Sequence, residues 1–446
     1  MSNKSKEIDV EKKYKIPEKL AEIKIDDKIL IISIESSNWI VLNSENEKVI
    51  FDKLKKHSIE EVIEFINDQS INQDELINVL TQLEAKEFES LDVTCTNEDK
   101  GMYIYLTNKC NLRCKHCYMF AGKEELNELT SQEIFKLLKD FYDNNGKMVT
   151  FTGGEVTQRS DLIEILKYSS KLGLVNTVLT NGVEWNEELV NKAYQYINEV
   201  QISIDGYDED SNSNVRGNGN FGKAMSTAEL FFEKNVRMSI AITPLFDGLE
   251  NLKEEYVQFG KTLIDKFKDG EFHLKFNYEL LEGRNINLGN VDNKKYSENM
   301  HYIVDECYEN SEEEEFILNH KYNVILNNCG YGGITVAANG DLYFCNRIHE
   351  LKSYGNIRKT DFTKIMELSK TARKLSDINN LKPCCNCELK YICGGGCRIA
   401  NFPELVSLGN LNNNTKCDNF QPRKCSKEIK EKYYRMMIRI NEQLFR

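Results

Sequence analysis

Between residues 101 and 280 the spacing of apolar and polar positions switches repeatedly between two periods. Short β-branched and aromatic runs (MYIYLT, KMVTFTG, NTVLTNG, EVQISIDG, RMSIAIT and EFHLKFNYEL) alternate with stretches whose apolar residues recur every three or four positions, such as SQEIFKLLKDFYDN and GKAMSTAELFFEKN. Six strand–helix repeats predict a parallel sheet, open or curled into a partial barrel. Ligands of such folds gather at the carboxyl ends of the strands. Residues 1–95 read as a separate small domain. In it KLAEIKIDDKILIISI and NWIVLN are strand-like, and SENEKVIFDKLKK, SIEEVIEFIND and NQDELINVLTQLEAKEF are amphipathic helices. Each helix opens on Ser or Asn, a good N-cap, with Glu soon after. About three strands and three helices make a winged-helix-like unit, whose exposed strand edge can accept a peptide as an added strand. Residues 281–328 read as an acidic, largely helical bridge that includes SEEEEFILNHKYNVIL, and a helix-like tail starts at about Ser426.

Composition narrows the class. A chain of 446 residues suits two or three domains, and 40% hydrophobic residues predict a buried core. A net charge of −13 argues against a nucleic-acid partner held by a basic surface. No apolar run approaches membrane-spanning length, and MSNKSKEIDVEKKYK lacks the apolar core of a signal peptide, so a cytoplasmic protein with no membrane partner is expected. The 14 cysteines are clustered, with three at 110–117 and nine from 329 to 425. In a reducing compartment such spacings favour metal ligation over disulfides.

The run CNLRCKHCY spaces Cys110, Cys114 and Cys117 as C-x3-C-x2-C, directly after the first barrel strand. Three thiolates can hold three irons of a [4Fe–4S] cube and leave the fourth open to a small molecule. A structural zinc site wants four ligands, and Cys95 or Cys307 would have to complete it. At the end of the second strand, Thr152-Gly153-Gly154-Glu155 lets backbone approach a ligand closely, and its carboxylate could grip an ammonium group. At the end of the fourth strand, Ser203 and Asp205 share one face and could hydrogen-bond a ribose. Arg216 could pair with a carboxylate of the bound molecule or stand solvated.

Together these residues resemble the radical S-adenosylmethionine (SAM) enzymes. The resemblance implies that Cys110, Cys114 and Cys117 are the catalytic ligands of a [4Fe–4S] cluster whose open iron chelates SAM. It also implies that Thr152, Gly153, Gly154 and Glu155 meet the SAM amino group, and that Ser203, Asp205 and Arg216 make further SAM contacts. The residue before the third cysteine is usually Tyr or Phe in that family. Here it is His116, which can still stack.

Farther on, Cys329 and Cys345 bracket Gly340 as C-x10-G-x4-C, and Cys384, Cys387, Cys393 and Cys397 read C-x2-C-x5-C-x3-C before Cys417. This order resembles the SPASM extension, with two auxiliary iron–sulfur clusters. The resemblance implies that Cys329, Cys345 and Cys397 bind the first, and Cys384, Cys387, Cys393 and Cys417 the second. Some relatives have one more cysteine where this chain has Asn323, so the first auxiliary cluster has an open iron or recruits Cys307, Cys385 or Cys425. Sulfatase-maturating relatives place an aspartate base where this chain has Asn346. An amide cannot take a proton as a carboxylate can, which argues against formylglycine formation.

The front domain resembles the PqqD-like element that captures leader peptides. The leader would pair beside Trp39–Leu42 and lie against the helix around Asp74–Glu84. The expected organisation is a leader-recognition domain (1–95), a partial (β/α)6 TIM-like barrel (96–285), a helical bridge (286–328) and a cysteine-rich SPASM domain with a C-terminal helix (329–446). The expected function is SAM-dependent radical modification of a ribosomally made precursor peptide, forming thioethers between Cys sulfur and carbon as in sactipeptides and ranthipeptides. An external electron donor of the flavodoxin or ferredoxin type would serve it. Carbon–carbon crosslinking, epimerisation and peptide-derived quinone formation are alternatives, and an iron–sulfur redox-sensing DNA-binding regulator is an alternative of another class.

Overall fold

The computed structural model describes residues 9–90, 94–95, 101–308, 324–325, 329–402 and 425–445. The front domain pairs β1 (Leu20–Ile25), β2 (Lys28–Ser33) and β3 (Trp39–Leu42) in one antiparallel sheet. Helices α1 (Glu45–Leu54), α2 (Ile59–Asp68) and α3 (Gln73–Ala85) follow, capped by the side chains of Ser44, Ser58 and Asn72. Strand periodicity sorts the apolar residues between two cores. Ile29, Ile31, Ile40 and Leu42 pack on the three helices, whereas Leu30, Ile32, Trp39 and Val41 pack on the C-terminal helix Lys427–Leu444.

That second core corrects the expectation of an exposed strand edge. All four residues of β3 are buried. At its free edge the Val41 amide donates to Gln82 Oε1 (2.9 Å), and Gln82 Nε2 donates back to the Val41 carbonyl (2.8 Å). One carboxamide thus reproduces the donor and acceptor of a neighbouring strand. Asn441 of the C-terminal helix donates to the same Gln82 oxygen (3.0 Å). Unpaired edge groups buried under a helix would be costly, which explains why a polar side chain closes the groove between β3 and α3.

After the two-residue β4 (Thr94–Cys95), six parallel strands follow: β5 (Gly101–Tyr105), β6 (Met148–Thr152), β7 (Val175–Thr180), β8 (Glu199–Ser203), β9 (Arg237–Ile242) and β10 (Phe272–Phe276). They lie side by side in chain order. Connecting helices are α4 (Ser131–Asp143), α5 (Leu162–Leu172), α6 (Glu187–Ala193), α7 (Glu209–Arg216), α8 (Phe221–Glu233) and α9 (Leu249–Lys266). Ile104, Phe151, Val178, Val200 and Ile240 face these helices in one large core. The alternate positions Tyr103, Thr150, Thr177 and Gln201 line an internal cavity. Helix α10 (Asn293–Cys307) packs against α9.

Two features of this region were not legible in the sequence. Within the run expected to be helical, Val324–Ile325 is a strand, β11, parallel to β4; residues 309–323, with Asn323, lie outside the described residues. Further, β12 (Ile334–Val336), β13 (Asp341–Tyr343) and β14 (Gly355–Asn356) do not begin a separate sheet. β12 pairs with β5, so the barrel sheet continues to nine strands. Without it β5 would be an open edge. Among the described residues no helix is long and apolar enough to cross a membrane.

Candidate active site

The three-cysteine loop leaves β5 at the carboxyl end of the sheet. It is tied to its own base by Cys110 N to Gly122 O (3.1 Å) and Gly122 N to Asn108 O (2.8 Å). The glycine turn packs on its backbone: Gly154 N donates to Thr107 O (2.7 Å) and Glu155 N to Lys109 O (2.9 Å). Gly153 has φ +148°, and a Cβ there would stand 2.5 Å from Thr107 O. The motif is thus a close approach of two loops that only glycine allows. From the other side Arg284 donates to Cys114 O (3.1 Å) and to Ala121 O, and Asn285 N donates to Lys115 O (2.7 Å). Sequence reasoning missed this clasp, because a lone arginine after the last barrel strand carries no motif.

A cavity of about 790 Å³ opens beneath the loop, within the range of small-molecule sites. Cys110, Cys114, Cys117, His116, Ser203 and Arg216 line it, together with Asp205 and the backbone turn Thr152–Gly154. The Asp205 carboxylate, 1% exposed, is already engaged. Its Oδ2 lies 2.6 Å from His116 Nε2 and 2.5 Å from Arg216 Nε, the latter an ion pair without hydrogen-bond alignment. Its Oδ1 accepts from Thr243 N (2.8 Å). Burial alone would raise its pKa, but Arg216 and His116 hold it down to about 2. Asp205 therefore organises two cavity residues, and Ser203 is the member of the pair whose side chain has no such network.

The reading of Glu155 as a grip for an ammonium group needs correction. Its carboxylate is buried and accepts from Thr180 Oγ1 (2.6 Å), Asn181 N (2.8 Å) and Thr157 N (3.2 Å). Glu155 joins the ends of β6 and β7, and Asn181 carries the connection on to Asn111 of the cysteine loop (2.8 Å).

The later cysteines form two groups. Cys345 lies close enough to Cys329 and Cys397 for both to push its thiol up, and all three pack around Tyr331, Phe344 and Phe402. Cys384 likewise feels Cys387, Cys393 and Cys425; Cys417 lies outside the described residues. Cys307 joins neither group, because its thiol donates to Val257 O (3.6 Å) between α9 and α10. A tyrosine pair links the three-cysteine loop to the first group. Tyr105 Oη lies 3.2 Å from Tyr118 Oη, next to Cys117, and donates to the carbonyl of Asn346, next to Cys345 (2.6 Å).

The thiols suit iron–sulfur clusters. None of the described cysteine side chains is in a disulfide. Burial pushes Cys110 and Cys345 up to about 11 and Cys384 to about 12, so each thiol keeps its proton until a metal displaces it. Among the described residues no three His, Cys, Asp or Glu side chains gather as ligands of one ion. Leu112 N already donates to Cys110 Sγ (3.4 Å).

The family comparisons agree with this geometry. Residues 104–258 match the radical SAM superfamily, and residues 328–388 match the SPASM iron–sulfur cluster-binding domain. An AdoMet-dependent heme synthase of Methanosarcina barkeri is 26% identical over 70% of this chain and 94% of its own length. The mycofactocin maturase MftC of Mycolicibacterium smegmatis is 27% identical over 67% of this chain and 77% of its own. The solved structure of native anSMEcpe with bound AdoMet and Cp18Cys peptide superposes with TM-score 0.55 at 19% identity, covering 76% of this chain and 98% of that one. Such a likeness shows a shared fold. The chain is an enzyme that carries a radical SAM domain, which binds a [4Fe–4S] cluster and SAM, followed by a SPASM domain for auxiliary iron–sulfur clusters.

Proposed function

We propose that the protein modifies a ribosomally made precursor peptide by radical chemistry, joining a cysteine sulfur to a carbon of another residue. The carrying observation is that Asn346 and Arg347, directly after Cys345 of the first auxiliary group, line the same cavity as Cys110, Cys114 and Cys117. With its clusters bound and an electron from a flavodoxin- or ferredoxin-type donor, the site supplies reductive cleavage of SAM to a 5′-deoxyadenosyl radical and a nearby electron acceptor. Forming the thioether takes from the peptide one hydrogen atom, one proton and one electron, so an acceptor beside the cavity is what the reaction needs.

The chain's own residues do the holding. Cys110, Cys114 and Cys117 hold the first cluster, the turn Thr152–Gly154 and Ser203 border the bound SAM, and Asp205 fixes His116 and Arg216 beside it. Cys329, Cys345 and Cys397 would hold the first auxiliary cluster, and Cys384, Cys387 and Cys393 the second, with Cys417 as the fourth ligand implied by the SPASM resemblance. The front domain, read as PqqD-like, receives the leader once the Gln82 closure of β3 opens. The maturase relative and the peptide-bound neighbour favour a peptide over the tetrapyrrole that the heme synthase's name implies.

The test is mass spectrometry of a short cysteine-containing peptide encoded beside the gene, after incubation with the reconstituted, reduced enzyme and SAM. A product two hydrogens lighter, with its cysteine resistant to alkylation, supports the thioether. The same mass with cysteine still alkylated points to a carbon–carbon bond, and an unchanged mass with inverted stereochemistry to epimerisation. Either result would overturn the thioether reading while keeping the peptide.

A further inference from the structure

Two of the three cysteine groups have an arginine side chain aimed at a ligand sulfur. Arg216 Nη1 lies 3.9 Å from Cys114 Sγ, and Arg347 Nη1 lies 3.5 Å from Cys397 Sγ. Arg347 also lies two residues beyond Cys345, on the loop that carries this second cysteine of the group. In the first auxiliary group Cys397 thus receives an N–H from the Arg347 guanidinium, and Cys329 one from the Arg398 amide (3.4 Å). The guanidinium is 18% exposed and lines the cavity. Glu350 fixes it through Nε (2.5 Å) and Nη2 (2.8 Å), and Glu279, just beyond β10, lies 3.7 Å from Nη1. Its geometry is therefore held from two sides, and its charge is divided between a sulfur and carboxylates.

We propose that Arg347 is a positioning residue that raises the reduction potential of the first auxiliary cluster, and that Glu279 opposes it. Cluster potentials are set by net charge, hydrogen bonds to the sulfurs and solvent exposure. N–H donors and a cation at the sulfurs stabilise the reduced cluster, which carries one more negative charge. The cluster is then better able to take the electron that a peptide gives up on forming its new bond. Glu279 lines the same cavity, so a substrate that shifts this carboxylate also changes the cluster's readiness to accept. The inference rests on the reading that Cys329, Cys345 and Cys397 hold a cluster.

The experiment is a potentiometric titration followed by electron paramagnetic resonance. It uses the reconstituted full-length protein with Cys110, Cys114 and Cys117 changed to Ala, so that only auxiliary signals remain. The signal lost on adding Cys345→Ala belongs to the first auxiliary cluster. Arg347→Gln should move that midpoint to a more negative potential, Glu279→Gln to a more positive one, and Arg347→Lys should fall between Arg347→Gln and the parent. The second auxiliary midpoint should stay put. Equal midpoints in parent and Arg347→Gln, or shifts of the same sign in Arg347→Gln and Glu279→Gln, would overturn the proposal, because general loosening has no reason to change sign with the charge removed. If Cys345→Ala removes neither iron nor signal, the cluster reading itself fails, and this inference with it.

Discussion

Asp205 carries three partners on two carboxylate oxygens inside the protein. Removing one member of a buried ion pair costs about 3–5 kcal/mol, because the other charge is left uncompensated. Asp205→Asn should therefore lower the urea midpoint of the cluster-free protein, where cluster binding does not mask the effect. The pH dependence has a definite sign. The folded pKa, at about 2, lies below the unfolded value of about 3.9, so the stabilisation is complete above the unfolded value and fades as pH falls toward 2. The gap between parent and variant should stay constant from about pH 7 to pH 5 and narrow only below about pH 4; a gap closing between pH 7 and 5 would mean that another group dominates. Ser203 and Asp205 were legible as a pair because strand periodicity puts both on one face. That Asp205 faces inward to His116 and Arg216 was not, since His116 arrives from a loop 89 positions earlier and Arg216 from the far end of the following helix.

Among the elements, the glycine turn and the front-domain sheet carry the sharpest expectations. Gly153→Ala places a Cβ against Thr107 O at a backbone angle that side chains rarely adopt. It should push the turn off the cysteine loop and weaken SAM binding, measured by equilibrium dialysis of labelled SAM, while the auxiliary absorbance remains. Unchanged SAM affinity would show that the turn tolerates the shift. Gln82→Ala should leave the buried Val41 amide without its acceptor, so its hydrogen exchange should accelerate while Leu30 and Ile32 stay protected; unchanged Val41 exchange would show that the C-terminal helix alone shields the edge. Met437, fully buried on that sheet, should lose about 2–5 kcal/mol on change to Ala. Helix starts at Ser44, Ser58 and Asn72 and the six barrel strands could be read locally, because capping and periodicity are local. The closure of β3 by Gln82 and Asn441 could not, because it joins residues 41, 82 and 441. β12 joined to β5 is hidden for the same reason: three residues of ITV look alike in any sheet.

At the scale of the whole molecule, one cavity is lined by the three-cysteine loop and by Asn346 and Arg347 beside the first auxiliary group, and the Tyr105–Tyr118 pair holds the two loops together. The cysteine spacings announced the clusters, but not that the first auxiliary loop would border the cavity, nor that Cys307 would be spent between helices. Changing Cys110, Cys114 and Cys117 to Ala should abolish SAM cleavage while leaving auxiliary iron and absorbance; loss of all iron together would argue against separate sites. The most direct measurement is 5′-deoxyadenosine release by the reconstituted, reduced full-length protein with SAM, with and without the neighbouring cysteine-containing peptide. The account predicts release that rises on adding the peptide and disappears in the triple alanine variant. No 5′-deoxyadenosine from fully loaded, reduced protein, with or without peptide, would contradict it.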